Sequence, residues 1–73
     1  MIRHNKKYTL RDLRKMKRLT VDGCMLVTKV SKATWYRIEQ GQAKTYTDEL
    51  KEIAKLAGIK FEQLDISNLK VVR

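Results

Sequence analysis

Apolar positions recur along this chain with the 3.6-residue rhythm of amphipathic helices, and polar caps and glycines break the rhythm into short segments. Thr9 with Asp12 three places on is a capping-box signature, and Leu10, Leu13 and Lys17 share one side with Arg14 beside them. That predicts a first helix over 9–18. Thr20 caps a second over about 21–28, which turns Val21, Cys24, Met25 and Thr28 inward and leaves Leu26 and Val27 outward. Ser31 caps a third over about 32–40, with Trp35 and Ile38 inward and Gly41 as a left-handed stop. In TDELKEIAKLAG, Leu50, Ile53, Ala54 and Ala57 form one stripe that ends at Gly58, which predicts a fourth helix over about 46–57. IKFEQL predicts a short fifth helix, and the tail DISNLKVVR reads either as a strand or as a loose end. The expected fold is all-α, a compact bundle of four to five helices. It divides into a basic arm over 1–8, a helical domain over 9–64 and a tail over 65–73.

At 73 residues the chain makes one small domain, with no room for a large enzyme cleft. Its formal charge of +9 is uneven: residues 1–32 hold ten basic and two acidic side chains, and the remainder seven and six. An N-terminal half that carries nearly the whole field suits nucleic acid or an acidic surface better than a neutral metabolite. The single cysteine excludes an internal disulfide and a Cys-based zinc site. No apolar run approaches a membrane span, and the opening MIRHNKKYTLRDL lacks a signal-peptide core, so the expectation is a soluble cytoplasmic protein with no membrane partner. No constellation of residues points to enzyme chemistry, a metal or a cofactor. The one histidine lies near the N-terminus, and Cys24 reads as a small hydrophobe rather than a nucleophile.

Two short helices joined by a three-residue turn, the second capped by Ser31, make a helix-turn-helix pattern that many bundles share. The pieces LT at 19–20, VSKATWYRIEQG at 30–41 and ELKEIAKLAGI at 49–59 are more specific. Together they resemble the helix-turn-helix family of the Cro and lambda-type phage repressors, over roughly residues 9–64. The resemblance implies a lambda-repressor-like domain that reads the major groove of operator DNA with the third helix. Such a protein is a transcriptional regulator of a phage or mobile-element genetic switch, working near the nucleoid of a bacterial or phage-infected cell.

The helical wheel agrees. With Trp35 and Ile38 inward, Ala33, Tyr36, Arg37 and Gln40 face the other way, with Lys32 and Thr34 on the flanks. Arg37 or Lys32 can donate to guanine O6 and N7, and Ala33 or the Tyr36 ring can pack on a thymine methyl. Lys32, Ala33, Thr34, Tyr36 and Arg37 are therefore the expected base contacts. By the family's pattern Gln40 and Lys44 touch phosphate. Lys17 and Arg18 are further phosphate candidates, though with Lys15 they also suit the negative end of the first helix. Arg3, His4, Lys6 and Lys7 read either as an arm along the DNA backbone or as an ordinary start of the chain. The family pairs an arginine at the place of Arg14 with the glutamate of its R-I-E segment, here Glu39, which makes that pair structural. It also commonly dimerises through the region after the fourth helix, here Ile59, Phe61, Leu64, Ile66, Leu69, Val71 and Val72.

The second helix departs from the family. Val21 stands where a phosphate-binding Gln is usual and Met25 where a small Ala lets the two helices cross. Gly23 lies inside the helix at a cost of about 1 kcal/mol against Ala. Lys29 stands where the turn often has Gly, so a positive φ there carries strain. Leu26 and Val27 fall where the family shows polar residues. With Tyr36 they suggest a second function: an antirepressor or modulator that binds a partner helix-turn-helix repressor through this surface.

Overall fold

The computed structural model describes residues 6–73. It is mostly helical, with four α-helices and one small sheet among these residues: α1 (Leu10–Lys15), α2 (Val21–Thr28), α3 (Lys32–Glu39), β1 (Lys44–Tyr46), α4 (Thr47–Ala57), a 3-10 turn (Phe61–Gln63) and β2 (Lys70–Val72). No helix among them is long and apolar enough to cross a membrane.

The caps explain where the helices start. The Thr9 hydroxyl accepts from the Asp12 N–H at 3.0 Å while the Asp12 carboxylate accepts from the Thr9 N–H at 3.1 Å, a closed capping box. Thr20 accepts from the Gly23 N–H at 3.0 Å, and Ser31 accepts from the Thr34 N–H at 3.3 Å. Before α4 the Glu49 carboxylate takes the Tyr46 N–H at 3.2 Å, so α4 begins at Thr47 and Tyr46 belongs to β1.

The helix ends use left-handed residues, two of them not glycine. Gly41 (φ 78) and Gly58 (φ 73) stop α3 and α4 at no steric cost. Lys17 (φ 62) and Lys29 (φ 57) do the same after α1 and α2 and carry the strain of a Cβ in that region. Lys17 thereby ends α1 at Lys15, three residues short of the expected 18. Its N–H reaches the Arg14 carbonyl at 3.0 Å, and the Arg18 N–H reaches the Leu13 carbonyl at 2.8 Å.

The core joins every element. Leu10 and Leu13 of α1, Cys24 of α2, Trp35 and Ile38 of α3, and Leu50, Ile53, Ala54 and Ala57 of α4 are all buried, closed by Tyr8, Leu19, Ile59 and Leu64. Trp35, the largest fully buried side chain, fills the centre. Its indole N–H meets no acceptor among the described residues, so packing must outweigh an unmade hydrogen bond that costs roughly 1–3 kcal/mol.

The chain ends differ from expectation. The basic arm does not extend to residue 8: Tyr8 is buried, its N–H donating to the Gln63 carbonyl at 2.8 Å and its carbonyl accepting from the Asp65 N–H at 2.7 Å. The fold is not purely α, because β2 in the tail pairs in parallel with β1, in the register Lys44–Lys70, Thr45–Val71 and Tyr46–Val72. The tail is thus part of the domain. Of the residues expected to dimerise, Ile59 and Leu64 are buried in the chain's own core, and Phe61, Ile66, Leu69, Val71 and Val72 are half-buried. The expected fifth helix is the single 3-10 turn at Phe61–Gln63.

Candidate nucleic-acid interface

Trp35 and Ile38 anchor α3 from below, which fixes what its other side can present. Lys32, Ala33, Tyr36, Arg37 and Gln40 are all exposed. Positions 32 and 36, and 33, 37 and 40, form two adjacent ridges at helical i, i+3 and i+4 spacing, so five of the expected side chains come together on one face. Thr34 is different. It is half-buried, and its hydroxyl accepts from the Ser31 hydroxyl at 3.0 Å, which ties it to the cap. Lys44 is exposed at the first position of β1, just beyond the loop that follows α3.

One ion pair ties α3 to α1 beside their shared core. Arg14 Nη2 donates to Glu39 Oε1 at 2.8 Å and Arg14 Nε donates to Glu39 Oε2 at 3.2 Å, the two-point geometry that suits a guanidinium and a carboxylate. The hydrogen bond to Glu39 raises the Arg14 pKa above its ordinary value, so the guanidinium stays charged. The Arg14 guanidinium also lies 5.7 Å from the centroid of the Tyr36 ring, within reach of a cation–π contact.

A cleft opens beside this pair, lined by Thr9, Arg11, Arg14, Tyr36, Glu39, Gln40 and Asn68. It adds Arg11, an exposed cation on α1, to the surroundings of Tyr36 and Gln40. Sequence reasoning missed Arg11 because a wheel of α1 places it on the outside with nothing to say that α3 runs past it; the charge excess of residues 1–32 was its one signal. The other cations of α1 differ. Lys17 is exposed in its left-handed turn, while Arg18 leans on the end of α4, where a Cβ built on Gly58 would stand 3.4 Å from Arg18 Nη1. A guanidinium there is favoured by the carbonyl end of α4. Lys6 and Lys7 are exposed, Lys6 Nζ lying 5.5 Å from the Tyr8 ring, whereas Arg3 and His4 fall outside the described residues.

The surface expected around Leu26, Val27 and Tyr36 separates into parts. Leu26 is 79% exposed, but Val27 is half-buried against the core, which corrects its outward placement. Tyr36 sits with Arg14 in the cleft by α1. Leu26 instead shares a shallow depression with Asp22, Met25, Lys29 and Val30. Cys24 is buried in the core, and desolvation pushes its thiol pKa up to about 11. It stays protonated at neutral pH, as a small core hydrophobe does.

No family model, curated protein or solved structure matches the chain.

Proposed function

We propose that this chain is a sequence-specific regulator of transcription that binds double-stranded operator DNA through a helix-turn-helix formed by α2 and α3. The observation that carries the reading is the single exposed face of α3, where Lys32, Ala33, Tyr36, Arg37 and Gln40 stand together above a buried Trp35 and Ile38. A B-DNA major groove about 12 Å wide admits one helix, and its edges distinguish all four base pairs. On this reading Arg37 and Lys32 donate to guanine O6 and N7, and Ala33 and Tyr36 contact thymine methyls. Gln40, Lys44 and Lys17 take phosphates, and Arg11 adds a cation at the α1 end of the face. Arg18 contributes to the field around the backbone while it serves the end of α4. Thr34 holds the cap that aims the helix. The likeness of residues 9–64 to the Cro and lambda-type repressors suggests a phage or mobile-element switch, with a homodimer on half-sites ~34 Å apart.

Selection of duplexes from a randomised library, followed by mobility-shift titration across salt, tests this. The expected result is one enriched motif bound far more tightly than random DNA, with affinity falling steeply as salt rises. A chain that enriches no motif contradicts it.

The exposure of Leu26 favours a second reading, a modulator that binds a partner repressor through the α2 surface. The half-burial of Val27 narrows that surface, and the cationic α3 face has no task in it. Co-elution with a helix-turn-helix repressor, abolished by Leu26→Glu, separates this reading from the first.

A further inference from the structure

We propose that α2 is a self-association surface on which a second copy of this chain packs its own α2 antiparallel, with Met25 against Leu26 of the partner and Asp22 against Lys29 of the partner. The proposal uses none of the α3 side chains assigned to bases, and its test needs no DNA, although it lies on the α2 that the DNA reading counts in its helix-turn-helix.

Three observations carry it. The first is apolar exposure: among the described residues Leu26 is the most exposed of the large apolar side chains, at 79%, and it adjoins the half-buried Met25 and Val30 in one depression. Gly23, one turn before Leu26, widens the patch. Leu56 of α4 lies alongside, where a Cβ on Gly23 would stand in ordinary contact 4.0 Å from Leu56 Cδ1, and Leu56 is 53% exposed.

The second is the charge pattern. The chain carries +9, so copies repel one another over most of their surface, yet residues 23–28 hold no charge at all. An acid, Asp22, borders this neutral window at one end and a base, Lys29, at the other, and both line the same depression. A helix rises 1.5 Å per residue, so the two ends lie about 10 Å apart. A two-fold axis between positions 25 and 26 reverses the window onto itself, bringing each acid to a base and each apolar side chain to an apolar one. An isologous contact requires such self-complementarity, whereas a partner of another sequence has no need of it.

The third is the use of the tail. Ile59 and Leu64 are buried in the chain's own core and Leu69 packs half-buried against it, while Phe61, Ile66 and Val71 line a groove bordered by Lys51 and Arg73, where a second copy of this cationic chain is repelled and α2 has no like-charged border.

The patch is small, so the dimer is weak, with a dissociation constant on the order of 100 µM. Sedimentation equilibrium from about 10 µM to about 1 mM, in ~0.15 M salt to screen the general repulsion over ~8 Å, measures it directly. The wild-type chain is expected to show a monomer–dimer equilibrium, and Leu26→Glu to weaken it ~10-fold or more. Asp22→Lys and Lys29→Asp, each turning two attractions into repulsions, are expected to weaken self-association ~10-fold. An equimolar mixture of those two variants should recover dimers, since each then supplies the charge the other lacks. That recovery distinguishes surface complementarity from misfolding and does not depend on the Leu26 variant. Wild-type protein that stays monomeric to about 1 mM overturns the proposal. So does a dimer that ignores Leu26→Glu, which would place the contact elsewhere, such as the groove of Phe61, Ile66 and Val71. So does a mixture that associates no better than its components, or a monomer that binds only a different protein through Leu26.

Discussion

Arg14 holds Glu39 through two hydrogen bonds, and the two ends of this pair are unequally buried: the Arg14 side chain is 32% exposed and that of Glu39 only 7%. Removing either partner therefore has different consequences. Arg14→Ala leaves a buried carboxylate without its cation and should cost ~2–4 kcal/mol in urea unfolding. Glu39→Ala leaves a guanidinium that can still reach water and should cost roughly half as much. The double variant should lose less than the two single losses combined, because they share one interaction. Equal losses that simply add would mean that the pair is not the clamp between α1 and α3.

The two left-handed lysines mark strain that glycine relieves. Lys17→Gly and Lys29→Gly should each raise stability by about 0.5–1 kcal/mol, read as a higher urea midpoint at constant slope. Gly41 is the reverse case. A Cβ there would run into the Asn68 carbonyl as well as take up a φ of 78°. Gly41→Ala should cost ~2 kcal/mol or more, against about 1 kcal/mol for Gly58→Ala, where a Cβ meets only the mobile end of Arg18 at 3.4 Å.

These positions also show how far the sequence carries. The caps at Thr9, Thr20 and Ser31 and the stops at Gly41 and Gly58 were legible because each depends on residues within four places of one another. So was the α4 stripe, and so was the exposed side of α3 once Trp35 was taken as core. The end of α1 was not legible: nothing local distinguishes Lys17 in the left-handed region from another helical lysine. A strand in the tail was one of two readings, but β1 and its pairing with β2 were hidden for a different reason. Each is three residues long, too short for alternation to register, and their pairing joins Lys44 to Lys70 across the whole of α4. The half-burial of Val27 and the nearness of Arg11 to Gln40 likewise depend on which helix lies alongside, and no wheel contains that.

Cys24 gives a pH test. Its folded pKa is raised to about 11 from an ordinary 9.0, chiefly by desolvation. Above the unfolded pKa the unfolded chain sheds this proton while the folded chain retains it, so the stabilisation is whole below pH 9 and is lost as pH rises towards 11. Lysines and tyrosines also titrate there, so Cys24→Ala is the reference. Wild-type stability should fall more steeply than that of the variant between pH 9 and 11, by on the order of 2 kcal/mol over the interval. Parallel curves would mean that the thiol is open to water.

If α3 reads bases, its side chains divide by what they touch. Arg37→Ala should cost ~1–3 kcal/mol on the preferred duplex and relax the preference at one base pair. Lys44→Ala should instead weaken all sequences alike and reduce the salt slope by about one. Competition titrations with selected and scrambled duplexes separate the two. Uniform weakening by Arg37→Ala would reduce its role to a phosphate contact.

The most direct test of the account follows backbone amide shifts of the protein as a selected duplex is added. The largest changes are expected at Lys32, Ala33, Tyr36, Arg37 and Gln40, with smaller ones at Lys44 and Arg11 and little at Leu26 or Leu56. Changes that centre on α2 and spare α3, or that spread evenly over every exposed lysine, would contradict the claim that α3 reads the groove.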